Sequence, residues 1–431
     1  MELTIHRGTK EIGGSCVEVS AGGTRLILDA GTPLVNEDRE PFDSGAMRGV
    51  PTADLIASGV IPEVPGLFGE GKAPDAILLS HSHVDHAGLL DRTRPEIPVH
   101  ATKGASKMML VGELFAKQDR LEKDRHREVI PRRPFRVGAF KVTPFAVDHS
   151  TFGCVAYLLE ADGKTLLYSG DLRWHGRKPE LLRNLVRDVG GRNLDALVME
   201  GTHVGSGRGK GKNEYELEEQ IGDTIERSKK LVLASFSPQD VARLETYINA
   251  TRAAGRVFVA DAYAAFVIYM VASESNLPRL GSTDSLRVYL NETFRRKRNV
   301  ESTAEKIGVD RIELPEILAN PDRFVMVFRP SMTAFDFRDG LPEGCRCIYS
   351  SWQGYLQKPD WVACRQAIEK AGGDLVPRHV SGHIYEEDLV ELVRALNPKR
   401  VFPIHTFEPN EFLRHFPNAT PLRDGERIVI G

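Results

Sequence analysis

Apolar and polar positions alternate through the first thirty residues. Leu3-Thr4-Ile5 alternates, Gly13-Gly14 breaks the pattern, Cys16-Val17-Glu18-Val19 resumes it, and Gly22-Gly23 turns the chain into Thr24-Arg25-Leu26-Ile27-Leu28. Period-two alternation bounded by glycine pairs predicts strands joined as a hairpin, the last ending at Asp29-Ala30-Gly31. Residues 33–74 mix proline, glycine and charge and predict a surface wrap. The run Asp75-Ala76-Ile77-Leu78-Leu79-Ser80 reads as a buried strand. Lys103 to Gln118 reads as a helix, with Met108, Met109, Val111, Leu114 and Phe115 at three- and four-residue spacing. Further strands are expected over 140–147, 165–170 and 195–199.

Beyond Val204 the pattern changes. A glycine-rich basic loop, Gly205 to Lys212, precedes a helix over about 214–229. Strand-like runs at 231–237, 256–261, 323–328 and 347–350 then alternate with helical stretches at 242–253 and 264–275. Such alternation predicts a parallel α/β unit. After residue 373 the first pattern returns: Leu389, Leu392, Val393 and Leu396 share one helix face, Asn397-Pro398 stops it, and Arg400-Val401-Phe402-Pro403-Ile404 reads as a last strand. The expected organisation is a first domain over 1–204, an inserted domain over 205–373, and the returning part of the first over 374–431.

Composition narrows the class. With 431 residues, 41% hydrophobic and 27% charged, the chain fits a two-domain globular protein. No apolar run reaches membrane-spanning length, and the N-terminus shows no basic-then-apolar leader, so no membrane association is expected. Five cysteines without regular spacing argue against a disulfide framework and for a reducing, cytoplasmic setting. The net charge of -3 gives no global attraction for polyanions, so any such contact must come from local patches such as Arg208, Lys210 and Lys212 or the run Arg295 to Arg298. The first reads equally as a flexible linker and as a backbone-phosphate contact; the second reads mainly as a solvated helix end, with an RNA backbone contact the alternative. Trp352 and Tyr355 read mainly as core residues, with base stacking the alternative.

The chemistry concentrates at strand ends. Directly after the run 75–80 comes His81-Ser82-His83-Val84-Asp85-His86. Imidazole nitrogen and carboxylate oxygen suit zinc and other transition metals, and this many ligand groups in six residues exceeds what one ion easily takes. Two histidines spaced by one residue can clamp one metal while the Asp-His pair turns to a second. His149, Asp171, Glu200 and His405 also follow apolar strand-like runs, and His379-Val380-Ser381-Gly382-His383 precedes the late helix. Cys345-x-Cys347 is too isolated for a metal site.

His-x-His-x-Asp-His, with Asp29, His149 and Asp171 at strand ends in order, resembles the motifs of the metallo-β-lactamase superfamily. Glu200 with Thr202, His379-Val380-Ser381-Gly382-His383 and His405 resemble motifs A, B and C of its β-CASP branch, motif B in the form seen in ribonuclease J and related RNA-processing endonucleases. The resemblance implies an αββα sandwich with an inserted α/β β-CASP cap. It implies two Zn²⁺ per chain, with Mn²⁺ as a substitute: His81, His83 and His149 on one ion, Asp85, His86 and His405 on the other, and Asp171 shared. It further implies that Asp29 and Thr202 support the site and that Asp85 and Glu200 take part in the chemistry. His383 would serve as proton donor or phosphate ligand, and His379 and Ser381 would bind a neighbouring phosphate. Histidine rather than valine at motif C favours RNA over DNA. The expected activity is therefore hydrolysis of phosphodiester bonds in single-stranded RNA, endonucleolytic, 5′-exonucleolytic or both, with self-association into a homo-oligomer compatible. The rival readings are a metallo-hydrolase of small esters, thioesters or lactams, and a DNA nuclease of the same superfamily.

Overall fold

A computed structural model describes residues 1–36 and 38–431, which divide into two compact units: Met1–Gly211 with Gly382–Gly431, and Lys212–Ser381.

The first unit holds two sheets. One orders the strands Arg427–Val429, Glu2–Arg7, Cys16–Ala21, Thr24–Leu28, Ala76–Leu78, Val99–Ala101 and His126–Glu128. The other orders Val401–Ile404, Ala196–Glu200, Lys164–Tyr168, Val155–Ala161, Phe140–Ala146 and Phe135–Val137. Strand periodicity assigns each side chain to a layer. Leu3, Ile5, Val17, Val19, Leu26 and Leu28 pack with Tyr157, Leu159, Leu166, Val198 and Phe402 in one core between the sheets. The alternate residues Cys16, Ile27 and Ile77 join Ala105 and Met109 of the helix Lys103–Phe115 on the outer face of the first sheet. Ala156, Leu158 and Leu197 meet Leu182 and Leu185 of Glu180–Val189 and Leu389, Leu392 and Val393 of Glu386–Leu396 on the outer face of the second. Helix, sheet, sheet, helix is the resulting order of layers, as expected. The segment 33–74 is more than a wrap, because Met47, Leu55, Ile61, Val64, Leu67 and Phe68 are buried in the outer-face core.

The second unit is a parallel sheet, ordered Leu286–Tyr289, Val257–Asp261, Phe324–Val327, Val232–Ser235, Arg346–Tyr349 and Asp374–Pro377. Its limits differ from the expected 205–373. Asp374–Pro377 pairs with Arg346–Tyr349 and keeps the chain through Ser381 in the second unit. Residues 205–211 stay with the first, where the Gly205 amide donates to Glu386 and Lys210 Nζ to Asp388.

A buried ion pair ties this second unit together. Arg243 donates from Nε to Glu214 Oε1 at 2.7 Å and from Nη2 to Oε2 at 3.2 Å, with Thr246 Oγ1 also donating to Glu214 at 2.9 Å. The rest of the guanidinium donates to the carbonyls of Ser350 and Val380 at 3.1 Å each. Both charged residues are buried, and removing one partner of such a pair costs about 3–5 kcal/mol because the other stays buried and uncompensated. Arg243→Met should lower the unfolding free energy by about that much, and adding Glu214→Gln should recover part of it. Urea unfolding followed by tryptophan fluorescence reports this. A Met variant as stable as the parent would contradict the assignment.

Candidate metal centre

The sheets of the first unit deliver ligand groups at strand ends. Ala76–Leu78 ends in Leu79-Ser80 and runs into His81, after which Val84–Ala87 forms one helical turn carrying Asp85 and His86. Backbone bonds lock this segment to its neighbour. The carbonyls of Val84, Asp85 and His86 accept from the amides of Thr32, Ser15 and Ala30 at 2.9, 3.1 and 2.8 Å. Gly31 lies so close that a Cβ there would run into the Asp85 carbonyl.

Three residues just beyond strand ends take left-handed backbone: Asp29 (φ 62), Gly170 (φ 54) and His405 (φ 55). Asp tolerates this region and Gly adopts it freely, but for His405 it is backbone strain of about 1–3 kcal/mol, held by the surrounding structure. Each turn redirects the chain just where a chemical group is presented.

The geometry brings together all the residues expected to ligate. His81, His83 and His149 offer nitrogens mutually within 4.8 Å, and so do the donor atoms of Asp85, His86, Asp171 and His405. Asp171 Oδ2 sits at the centre. It is 3.1 Å from His86 Nε2, 3.7 Å from His149 Nε2, and 3.8 Å from both His81 Nε2 and His405 Nε2. A third grouping overlaps the second, joining Asp171 and His405 with Glu200 and His383.

A metal fits these residues by a test of hydrogen-bond partners. Four of the imidazoles, those of His81, His86, His149 and His405, have one nitrogen committed to an acceptor, which places the proton there and bares the other. His86 Nδ1 donates to Asp29 Oδ2 at 2.7 Å. His81 Nδ1 donates to Ser80 Oγ at 3.0 Å, whose own proton goes to Asp29 Oδ2 at 2.7 Å. His149 Nδ1 donates to the Gly382 carbonyl at 2.6 Å, and His405 Nδ1 to Thr202 Oγ1 at 2.9 Å. The nitrogens left bare face inward. His149 Nε2 lies 3.1 Å from His83 Nδ1, so two imidazoles meet where only one can hold a proton. His81 Nε2 and Asp171 Oδ1 are buried without any hydrogen-bond partner, and His86 Nε2 and Asp171 Oδ2, 3.1 Å apart, have no partner but each other. Unsatisfied buried polar atoms are costly, and their convergence on one point is the signature of a cation site. Imidazole and carboxylate are the donors zinc takes in open, reactive centres.

Protonation follows burial and charge. Burial holds His81 and His149 well below the ordinary imidazole range, with neighbouring histidines adding to the effect. Burial opposes charge on His86 too, but Asp171 and Asp29 overcome it and raise this group. His383 is likewise raised to about 9, by Glu200 and Asp171 against burial. Its Nδ1 lies 3.2 Å from Glu200 Oε2 and 3.1 Å from Thr202 Oγ1. His203 is depressed to about 4 by burial and by His383.

The site also uses residues that sequence reasoning did not single out. Tyr168 OH donates to Asp29 Oδ2 at 2.7 Å, and the Ser80 amide donates to Asp29 Oδ1 at 2.7 Å, completing the cage around that carboxylate. Ser80 flanks the histidine cluster and Tyr168 ends the strand before Asp171, so adjacency was the available signal. The His203 ring meets His383 edge-on and stacks with Tyr385, whose centroid lies 4.2 Å from that of the tilted His175 ring. His379 and Ser381 fall in the second unit, where Arg243 Nη1 stands 3.4 Å from His379 Nδ1. Of the basic stretches, Lys210 pairs with Asp388, Arg295 with Glu313 and Arg296 with Glu292. Arg208 and Lys212 make no ion pair among the described residues.

Comparison with known proteins agrees with this geometry. Residues 53–208 match the family described as "Beta-lactamase superfamily domain", and residues 378–412 match "Zn-dependent metallo-hydrolase RNA specificity domain". The chain is 24% identical over 413 residues to a ribonuclease J of Mycolicibacterium smegmatis, covering 94% of this chain and 68% of that one. It is 23% identical over 452 residues to a ribonuclease J of Pyrococcus abyssi, covering 98% and 92%. A solved Enterococcus faecalis protein of unknown function shares the fold with a TM-score of 0.78, 21% identity and 99% coverage of each chain.

Asp29 orients His86 directly and His81 through Ser80, so it would govern two candidate ligands without touching a bound ion. Removing such an outer partner typically costs about 10–100-fold in metal affinity. Asp29→Asn should show that loss in chelator competition with an unchanged circular dichroism spectrum. Parental affinity in this variant would show that the cage does not tune the ligands.

Proposed function

The chain belongs to the metallo-β-lactamase superfamily, in its β-CASP branch, and from that premise we propose that it is a two-zinc ribonuclease hydrolysing phosphodiester bonds of single-stranded RNA. The observation that carries the reading is the set of bare, buried donor atoms around Asp171, which calls for cations and has the ligand types of a hydrolytic centre. His81, His83 and His149 would hold one ion, Asp85, His86 and His405 the other, with Asp171 between them. Two divalent ions bound there supply charge to a phosphodiester and lower the pKa of water from 15.7 toward about 7.

The remaining work belongs to the protein. Glu200 and Thr202 fix His383 by its Nδ1, leaving Nε2 as the nitrogen that hands a proton to the departing oxygen. Asp85 brings its carboxylate to the same centre, its Oδ2 3.1 Å from His405 Nε2. By the same resemblance His379 and Ser381 would bind a phosphate of the RNA. RNA as substrate is supported by the match of residues 378–412 to an RNA specificity domain, by the ribonuclease J relatives, and by His405 at the motif C position. Mn²⁺ would serve in place of zinc. Five free, buried cysteines accord with a cytoplasmic setting, and no described helix is long and apolar enough to cross a membrane.

The direct test is metal content together with cleavage of labelled single-stranded RNA, DNA and a chromogenic ester. Zinc at two equivalents per chain, cleavage of RNA above DNA, and loss of both zinc and activity in Asp171→Ala are expected. Full activity in chelator from metal-free protein would overturn the reading.

His383 separates the roles further. His383→Ala should slow RNA cleavage by about 10²–10⁴-fold with zinc content unchanged. Loss of an ion in that variant would instead make His383 a ligand, through its grouping with Asp171, Glu200 and His405.

A further inference from the structure

In the second unit, Val232–Ser235 and Arg346–Tyr349 are adjacent parallel strands whose ends are in register, Ser235 opposite Tyr349. Their onward connections part. Val232–Ser235 leads through the helix Val241–Ala253 to Val257–Asp261, two places away on one side. Arg346–Tyr349 leads through Pro359–Lys370 to Asp374–Pro377 on the other. Divergence of this kind opens a crevice beyond the carboxyl ends of the strands, the usual ligand position in open α/β sheets.

The loop leaving Arg346–Tyr349 carries the aromatic residues that sequence reasoning assigned to the core. The structure corrects that assignment: Trp352 is 51% exposed and Tyr355 42%, while Trp361 on the following helix is buried. The two exposed rings meet edge to face with centroids 5.3 Å apart. Lys358 Nζ stands 4.5 Å from the Tyr355 ring centre. An aromatic pair this exposed forgoes burial energy that a core position would have returned.

The loop is nonetheless firmly built. The Trp352 carbonyl accepts from Tyr349 OH at 2.9 Å and from the Tyr355 amide at 3.1 Å, and the Lys358 amide donates to the Tyr355 carbonyl at 3.0 Å. Leu356 packs against the core beneath. The indole lies directly over Gly354, where any Cβ would penetrate the ring. Both rings are thus held part-exposed on a short, hydrogen-bonded turn, the indole backed by Gly354 and the Tyr355 ring flanked by the Lys358 ammonium. A rigid aromatic surface flanked by an ammonium matches a nucleic acid base joined to a phosphate, and only an unpaired base leaves its faces open to stack.

We propose that Trp352 and Tyr355 form a base-stacking subsite for single-stranded RNA, with Lys358 meeting the adjoining phosphate. The inference rests on the ribonuclease reading and adds a binding site to it.

The test measures binding of fluorescein-labelled oligoadenylate, oligouridylate and an abasic oligoribonucleotide to the intact chain. One stacked base lost to alanine weakens binding by about 5–150-fold. Trp352→Ala should weaken oligoadenylate binding by that factor, Trp352→Phe should retain most of it, and the abasic strand should bind parent and alanine variant alike. Oligoadenylate, with the larger ring faces, should bind the parent more tightly than oligouridylate. Lys358→Ala should reduce the slope of log affinity against log salt by about 0.7. Hydrolysis of bis(p-nitrophenyl) phosphate, which needs no base, should be unchanged in all variants. Unchanged oligoadenylate affinity in Trp352→Ala, with RNA still cleaved by the parent, would overturn the subsite alone and leave the patch to a protein partner. Equal weakening toward the abasic strand would also overturn it, as damage to the loop. A parent that hydrolyses the ester but neither binds nor cuts RNA would overturn the ribonuclease reading, and the subsite with it.

Discussion

The first unit holds lone pairs of buried imidazole and carboxylate groups against one another at its strand ends. Asp171 Oδ1 and the inward nitrogen of His81 have no hydrogen-bond partner, and Asp171 Oδ2 and the inward nitrogen of His86 have none but each other, an arrangement that costs free energy until a cation fills it. Proteins tolerate such a cost where the framework leaves the groups no alternative. Here the framework is explicit: His81, His86, His149 and His405 are each gripped by the outer nitrogen, the His86 grip ends on Asp29 directly and the His81 grip through Ser80, and Asp29 is itself caged by Ser80 and Tyr168. The sheets supply the rigidity. Backbone bonds between the loops 29–32 and 81–88 fix the ligand turn to a strand end on each side.

This logic explains how much of the site was legible in the sequence. A histidine cluster after a short apolar run is visible because metal ligation needs scarce residue types packed closely, and strand ends are visible because turns need glycine, aspartate and proline. The outer grips were less visible. Ser80 and Tyr168 are common residues whose role depends on where the backbone carries them, and the Gly382 carbonyl that orients His149 is a backbone atom carried by no residue type. Left-handed backbone at His405 also leaves no mark in residue type.

The fold shows a similar division. Alternation in Leu3–Ile5, Cys16–Val19 and Thr24–Leu28 marked both faces of the first sheet, one turned to the second sheet and the other to helices. The short strands Val99–Ala101, His126–Glu128 and Arg427–Val429 escaped notice, because three residues cannot display a period. The limits of the second unit moved for a long-range reason, the pairing of Asp374–Pro377 with Arg346–Tyr349. Trp352 and Tyr355 went to the surface against the general preference of aromatic residues for the interior. Hydrophobicity alone cannot distinguish a ring that packs in the core from one that stays at the surface.

The central claim is that this chain builds one centre for two ions around a single carboxylate. Anomalous diffraction at the zinc edge, from crystals of the zinc-loaded protein, tests it without reference to activity. The account requires two peaks about 3.5–4 Å apart, one among His81, His83 and His149, the other among Asp85, His86 and His405, with Asp171 reaching both. A single peak, or zinc bound away from Asp171, would contradict it.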